Sequence, residues 1–317
     1  ALREAYLTRC FEKFQKGESV SQCINLTYNI LTCCYYLGNC DPMYSLSRVL
    51  QQLDEKFDLI NLAVNEFESF YNRTADATDN LTSISDLNED PRARTYFGKY
   101  SFLVNFNNRF IFLSYLLTNE AYNLSLKMDQ ILKLWDMFVT HSIWDEDQDH
   151  FFTWLRQNSE VPILEKRNII SKEILPEFFN NVLCNPSKFD FVDLTPKAFE
   201  CFLYYFKAIN IMLANIRMER GSTKFEVLNP DYEGKEALWN IFLKCTNEHT
   251  IQSIINFLVD CNLQLSPQLE EQKKQMWESF VFKCINLLKE SHQKHDERVI
   301  FKAVQVMMHF FDRFEGK

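Results

Sequence analysis

The sequence predicts an all-α chain, a solenoid of stacked antiparallel helix pairs, on three observations. Apolar residues recur at helical spacing over most of the 317 residues, glycine and proline are scarce, and a tryptophan-centred motif repeats. The 6 glycines and 8 prolines are about 4 % of the chain, where average usage is about 12 %. Turns are therefore few and the elements between them long.

Taken in order, Ser19-Val-Ser-Gln22 has the form of a capping box and leads into a stripe of Ile24, Tyr28, Leu31 and Tyr35, a helix that ends near Gly38. The next helical stretch runs from 45 to 71 with a break near Lys56. Composition then changes. The segment from Arg73 to Arg94 is rich in Thr, Asp, Asn and Ser, contains Pro91, and has too little apolar surface to fold by itself. The expected organisation is therefore N-terminal helical repeats over 1–72, a polar acidic linker over 73–96, and C-terminal repeats over 97–317 that continue the same solenoid.

Past the linker, helices are predicted at 98–118, 125–140, 143–157 and 169–184. Thr195-Pro196 places a capping side chain before a proline at the first helical position and opens a helix to about Met218. That helix is apolar nearly all round: Phe199, Phe202, Leu203, Phe206, Ile209 and Leu213 share one face, and Cys201, Tyr205, Ile211 and Met212 lie elsewhere. Such a helix is buried on more than one side. Further helices are predicted at 234–246, 247–262, from Ser266-Pro267 to Ser291, and at 295–315.

The repeat is carried by Leu134-Trp135-Asp-Met-Phe138-Val139, Leu238-Trp239-Asn-Ile-Phe242-Leu243 and Met276-Trp277-Glu-Ser-Phe280-Val281. Phe152-Thr-Trp154-Leu155 and Ile255-Asn-Phe257-Leu258 follow the first two copies at nearly equal distance, so the repeating object is a helix pair. The second and third copies lie 38 residues apart, close to the roughly 40–47 of armadillo and HEAT repeats. Trp135, Phe138, Trp154, Trp239, Phe242, Trp277 and Phe280 are the expected structural core of these pairs.

Several functions are disfavoured. The glycines, at 17, 38, 98, 221, 234 and 316, are too far apart for a phosphate-binding loop, a dinucleotide fingerprint or a nucleophile elbow. A net charge of −9 with no segregated basic patch argues against nucleic acid. The longest apolar stretch, from Ala198 to Ile216, contains Glu200, Lys207 and Asn210, which argues against a membrane span. The chain opens at Ala1 directly into helix-like sequence, and the expectation is a piece of a longer protein. Ten cysteines fall mostly at apolar helical positions, and four Asn-x-Ser/Thr tripeptides (Asn25, Asn72, Asn80, Asn123) are what an Asn-rich chain produces by chance. The expected location is intracellular, cytoplasmic with the nucleus as a second site.

Candidate chemistry is sparse. Asp145-Glu146-Asp147-Gln-Asp149 begins like a calcium loop, but His150 stands where glycine is needed and Arg156 where a bidentate glutamate is needed. An acidic first helical turn is the better reading, leaving an exposed acidic patch of Asp145, Glu146, Asp147 and Asp149 flanked by Trp144 as a candidate contact for a basic partner. His292-Gln-Lys-His295 lacks the spacing of a zinc helix, and Cys10, Cys23, Cys33, Cys34 and Cys40 follow a helix stripe with no Cys-x-x-Cys pair. No metal and no cofactor are implied. Cys33 and Cys34 are the candidates for a rival reading as a cysteine hydrolase.

The run Phe110-Ile-Phe-Leu-Ser-Tyr115, followed by Leu134-Trp135, Phe151-Phe-Thr-Trp154-Leu155, Gly234-Lys-Glu-Ala-Leu238-Trp239 and Trp277-Glu-Ser-Phe280-Val-Phe-Lys-Cys284, resembles the non-catalytic helical region of the very large ubiquitin-specific proteases, the fat facets-like deubiquitinases. The likeness is clearest over 97–317 and looser over 1–72. It implies a parent that is a cysteine peptidase acting on ubiquitin conjugates, with this segment as its armadillo-like scaffold. It carries over no catalytic residue. Thr32-Cys33-Cys34-Tyr35 lacks the glycines and asparagine that precede the cysteine in the family's cysteine box, and the histidine box has no counterpart. Protein partners are expected: ubiquitinated substrates, adaptors, or the remainder of the parent chain. A trafficking solenoid of importin type shares the architecture and is the main alternative.

Overall fold

A computed structural model describes residues 2–38, 46–77, 101–119, 122–156, 169–219 and 224–315. These fall into two compact units, the first made of the described residues of 1–157 and 165–174, the second of those of 175–317. The division lies well downstream of the predicted linker. Residues 78–96 of that linker lie outside the described residues.

In the first unit, α1 (Leu2–Gln15) and α2 (Val20–Gly38) form a hairpin, followed by α3 (Leu46–Phe57), α4 (Leu59–Ala77), α5 (Phe102–Thr118), α6 (Met128–Trp135) and α7 (Asp145–Arg156). The pattern in α3 shows why: Leu46, Val49, Leu50, Leu53 and Phe57 recur at three and four residues, and all are buried. Two expectations are corrected here. Ser19 adopts left-handed backbone (φ 50°), not the extended geometry of a capping residue, ahead of a helix that starts at Val20. The predicted linker start at 73 is instead the last turn of α4. There the buried Thr74 donates to the carbonyl of Phe70 at 3.0 Å, and Arg73 donates to that of Ser69 at 3.1 Å.

The expected break near Lys56 falls at Asp58 (φ 49°), where Asp54 Oδ1 accepts from the Leu59 amide at 3.0 Å and starts α4. The centre of the unit is aromatic. Phe67, fully buried, meets Phe110, Phe138 and Phe106 at centroid separations of 4.8, 5.0 and 5.5 Å. Each buried ring contributes about 1.5–3 kcal/mol of transfer free energy.

The second unit contains α8 (Leu175–Phe178), which runs on as a π-helical turn over Phe179–Leu183, then α9 (Pro196–Met212). After it come the short antiparallel strands β1 (Ile216–Met218) and β2 (Phe225–Val227), α10 (Lys235–Lys244), α11 (Glu248–Leu263), α12 (Glu270–Lys294) and α13 (Glu297–Glu315). The helix predicted at 169–184 is shorter because Pro176 has no amide hydrogen to continue a helix from upstream, so it serves as a start.

The helix predicted to reach Met218 stops at Met212, and Leu213, expected on the buried face, is exposed. The buried carboxamide of Asn210 explains the stop. It donates to the carbonyls of Phe206 (2.9 Å) and Glu233 (3.0 Å) and accepts from the Glu233 amide (2.8 Å) and Asn215 Nδ2 (3.0 Å). With all four capacities filled, Asn210 ties the end of α9 to the 229–233 loop, and the chain reverses through Ala214 at φ 57°. The strands were not legible because three residues hold no usable alternation.

Gly234 occupies the left-handed cap of α10 (φ 78°), and a Cβ there would lie 2.7 Å from the Phe179 ring. On α13, Ala303, Val306 and Phe310 face inward. Lys302, also buried, donates to the carbonyls of Phe242 (2.8 Å), Leu243 (3.0 Å) and Cys245 (2.6 Å) at the C-terminal end of α10. Among the described residues no helix is long and apolar enough to cross a membrane.

Candidate functional site

The acidic turn opens α7, with Asp145, Glu146 and Asp147 in its first turn, where the positive end of the helix dipole favours carboxylates. The structure separates these residues. Asp145 and Glu146 are exposed and Asp149 is half-buried, but Asp147 is 0 % and Trp144 5 % exposed. The expected patch is corrected accordingly: Trp144 and Asp147 cannot line an exposed surface. Trp144 instead packs edge-on against Phe102 at 5.3 Å, and Asp147 Oδ2 accepts from the Tyr71 hydroxyl at 2.8 Å. The Tyr71 oxygen in turn accepts from the Ile143 amide. Burial pushes the Asp147 carboxyl up to about 7, against the hydrogen bond from Tyr71 that pulls it down. Asp147 Oδ1 and Trp144 Nε1 are both buried with no hydrogen-bonding partner among the described residues.

The thiols are placed against activation. Cys33 is exposed and Cys34 buried, both in the C-terminal half of α2. Burial pushes Cys23 up to about 11 and Cys184 and Cys284 up to about 12, and raises Cys10, Cys245 and Cys261 as well. Cys40 lies outside the described residues. Of the histidines, His141 faces Asp136 at 3.2 Å and His150 meets the Glu146 carbonyl at 2.7 Å.

The tryptophan motifs differ in what they do. Trp135 and Trp239 are buried, and so are the phenylalanines three residues on, Phe138, Phe242 and Phe280. Trp135 meets Phe152 of α7 at 5.8 Å, which links the two members of the first predicted pair. Trp154 and Trp277 are half-buried, each with its ring against aromatics and its Nε1 satisfied, by Ser114 Oγ and by the Asn262 carbonyl respectively, both at 2.8 Å.

Trp239 and Phe280 also floor a groove of about 320 Å³ between the 230–235 loop, α10 and α12. At its mouth Lys283 Nζ lies 4.6 Å from the Trp239 ring centroid, and Lys235 Nζ lies 5.5 Å from that of Tyr232.

Comparison with known families now decides the class. The model of the UBP24/USP9X/USP9Y ARM repeat matches residues 1–210. The chain belongs to that family. No curated protein matches it closely enough to add a named relative. Membership in the UBP24/USP9X/USP9Y ARM-repeat family states the fold class plainly: an all-α, armadillo-like helical array from a ubiquitin-specific protease family.

The match includes the 1–72 stretch, where the resemblance had looked looser. It stops before Trp239 and Trp277, so the second and third motif copies lie beyond the ARM-repeat match. The groove lies beyond it too. Sequence reading assigned Trp239 and Phe280 to the core and passed over Tyr232, Lys235 and Lys283. Their signal in the sequence was a lysine three or four residues from an aromatic, which is too common to single out.

Proposed function

We propose that this segment is a non-catalytic, protein-binding scaffold within a ubiquitin-specific protease, serving to recruit substrates or adaptors or to position the remainder of the parent chain. On this reading the parent is a cysteine peptidase acting on ubiquitin conjugates. The observation that carries the proposal is the ARM-repeat match over 1–210, since arrays of this type work through extended surfaces built from successive helix pairs. The thiols support it. Those with displaced pKa values are shifted upward by burial, the reverse of what a nucleophile needs. Of the acidic turn, only Asp145 and Glu146, with Asp149 at the margin, are placed to meet a basic partner segment.

The test is to incubate the 317-residue chain with ubiquitin conjugates and with a thiol-reactive ubiquitin probe, alongside affinity purification of the full-length parent. No turnover, no probe adduct and recovery of ubiquitin-pathway proteins are expected. A probe adduct that Cys33→Ser or Cys34→Ser abolishes would refute the proposal in favour of a cysteine hydrolase, and recovery of transport factors alone would refute it in favour of trafficking.

A further inference from the structure

The groove in the second unit has a composition that points to one kind of occupant. Its floor is made of the buried rings of Tyr232, Trp239 and Phe280, so a bound group exchanges water for aromatic faces. Its mouth carries two ammonium groups. Lys235 rests over Tyr232 with Nζ 3.1 Å from the Pro230 carbonyl, and Lys283 rests over Trp239. Each ammonium lies over a ring face, a cation–π arrangement common for lysine on an aromatic surface.

Two acidic groups oppose them. Asp231 lines the same groove, and Glu236 Oε1 sits 3.3 Å from Lys283 Nζ. The Glu236 side chain is 79 % exposed and that of Lys283 37 %, so their ion pair is solvated and screened, and an incoming carboxylate can displace it. Asp231 is thus a second acidic group that a bound carboxylate must avoid.

The volume of about 320 Å³ is at the small end of ligand sites, which run from about 300 to 1,000 Å³. It accommodates one large side chain and its neighbours, not a folded domain.

We propose that this groove is a docking site for a short acidic peptide segment that seats one leucine or aromatic side chain on the Trp239–Phe280 floor and pairs its carboxylates with Lys235 and Lys283. The inference rests on the scaffold reading and gives it a partner chemistry.

The test uses a fluorescein-labelled hexapeptide with Leu-Phe at its centre and two glutamates on each side, titrated against the 317-residue chain by fluorescence anisotropy. Saturable binding that weakens as salt rises is expected. Lys235→Glu with Lys283→Glu should weaken it by roughly tenfold or more, and the hexapeptide with lysines in place of glutamates should then bind the doubly substituted chain. Neither lysine is buried, so circular dichroism is expected to be unchanged. Ser279→Trp, which fills the groove from its exposed rim without altering charge, should also abolish binding.

The proposal falls if the acidic peptide does not bind, if the charge reversals or Ser279→Trp leave its affinity unchanged, or if a single-stranded oligonucleotide competes as well as the peptide. Because conjugate cleavage is measured separately, failure here removes the groove and leaves the scaffold reading standing.

Discussion

The hydroxyl of Tyr71 on α4 donates a 2.8 Å hydrogen bond to Oδ2 of Asp147 on α7, 76 residues away, and both side chains are buried. The other carboxylate oxygen has no hydrogen-bonding partner among the described residues. Burial therefore raises Asp147 from 3.8 to about 7, so between those values the folded chain holds a proton that the unfolded chain has released.

Stability from this group is fully present below about pH 4 and is lost as pH rises through about 7. Asp147→Asn keeps an acceptor for Tyr71 and removes the titration. It is expected to stabilise the chain at pH 8 by roughly 1–3 kcal/mol, with the gain shrinking toward pH 5. Urea melts at pH 5, 6.5 and 8 measure this, and a gain that does not vary with pH would contradict the assignment.

Glu66 and Arg109 form a second buried link, with Nε–Oε2 and Nη2–Oε1 distances of 2.8 and 2.7 Å and the guanidinium 3.8 Å above the Phe70 ring. Arg109 also donates to the Asn105 carbonyl at 2.7 Å, and Asn105 Oδ1 accepts from Ser21 at 2.6 Å. Removing one partner strands a charge away from water. Arg109→Ala or Glu66→Ala should each cost about 3–5 kcal/mol. Glu66→Leu with Arg109→Met should cost less than the sum of the two single losses, as chemical denaturation of the four-member cycle will report.

Trp135 and Trp277 occupy equivalent motif positions with unequal burial. Trp135→Ala leaves a cavity against Phe151 and Phe152 and should cost about 3–5 kcal/mol. Trp277 is half-buried, with its ring centroid 4.7 Å from that of Phe314, so Trp277→Ala should cost less, roughly 1–3 kcal/mol. Equal shifts in denaturation midpoint would show that the motif copies are energetically alike.

Gly234→Ala is expected to destabilise the second unit by roughly 1–3 kcal/mol, since it adds a side chain at φ 78° and drives it into the Phe179 ring. Phe179→Leu should recover part of that loss if the ring contact dominates over the backbone conformation. No recovery in thermal melts would assign the whole cost to the backbone.

Much of the helical plan was legible because helical periodicity is a local signal: the stripe of Leu46, Val49, Leu50, Leu53 and Phe57 needs no knowledge of what it packs against. The errors came where distant residues decide. The end of α9 depends on Asn210 meeting Glu233, and the fate of Asp147 depends on Tyr71; neither partner is predictable from neighbouring sequence. A run of acids before an apolar helix reads as a surface patch, and only the tertiary fold reveals that its middle member turns inward. The groove was illegible for the same reason, since Lys235 and Lys283 come together over adjacent rings only when α10 and α12 are stacked.

The ammonium of Lys302 closes the carboxyl end of α10 from a helix 60 residues further along the chain. Removing α13 would uncover three carbonyl oxygens at once and leave that end of α10 to fray. The middle and final hairpins of the second unit are thus tied to each other at that end, and loss of the tie is expected to show as faster amide exchange in the last turn of α10.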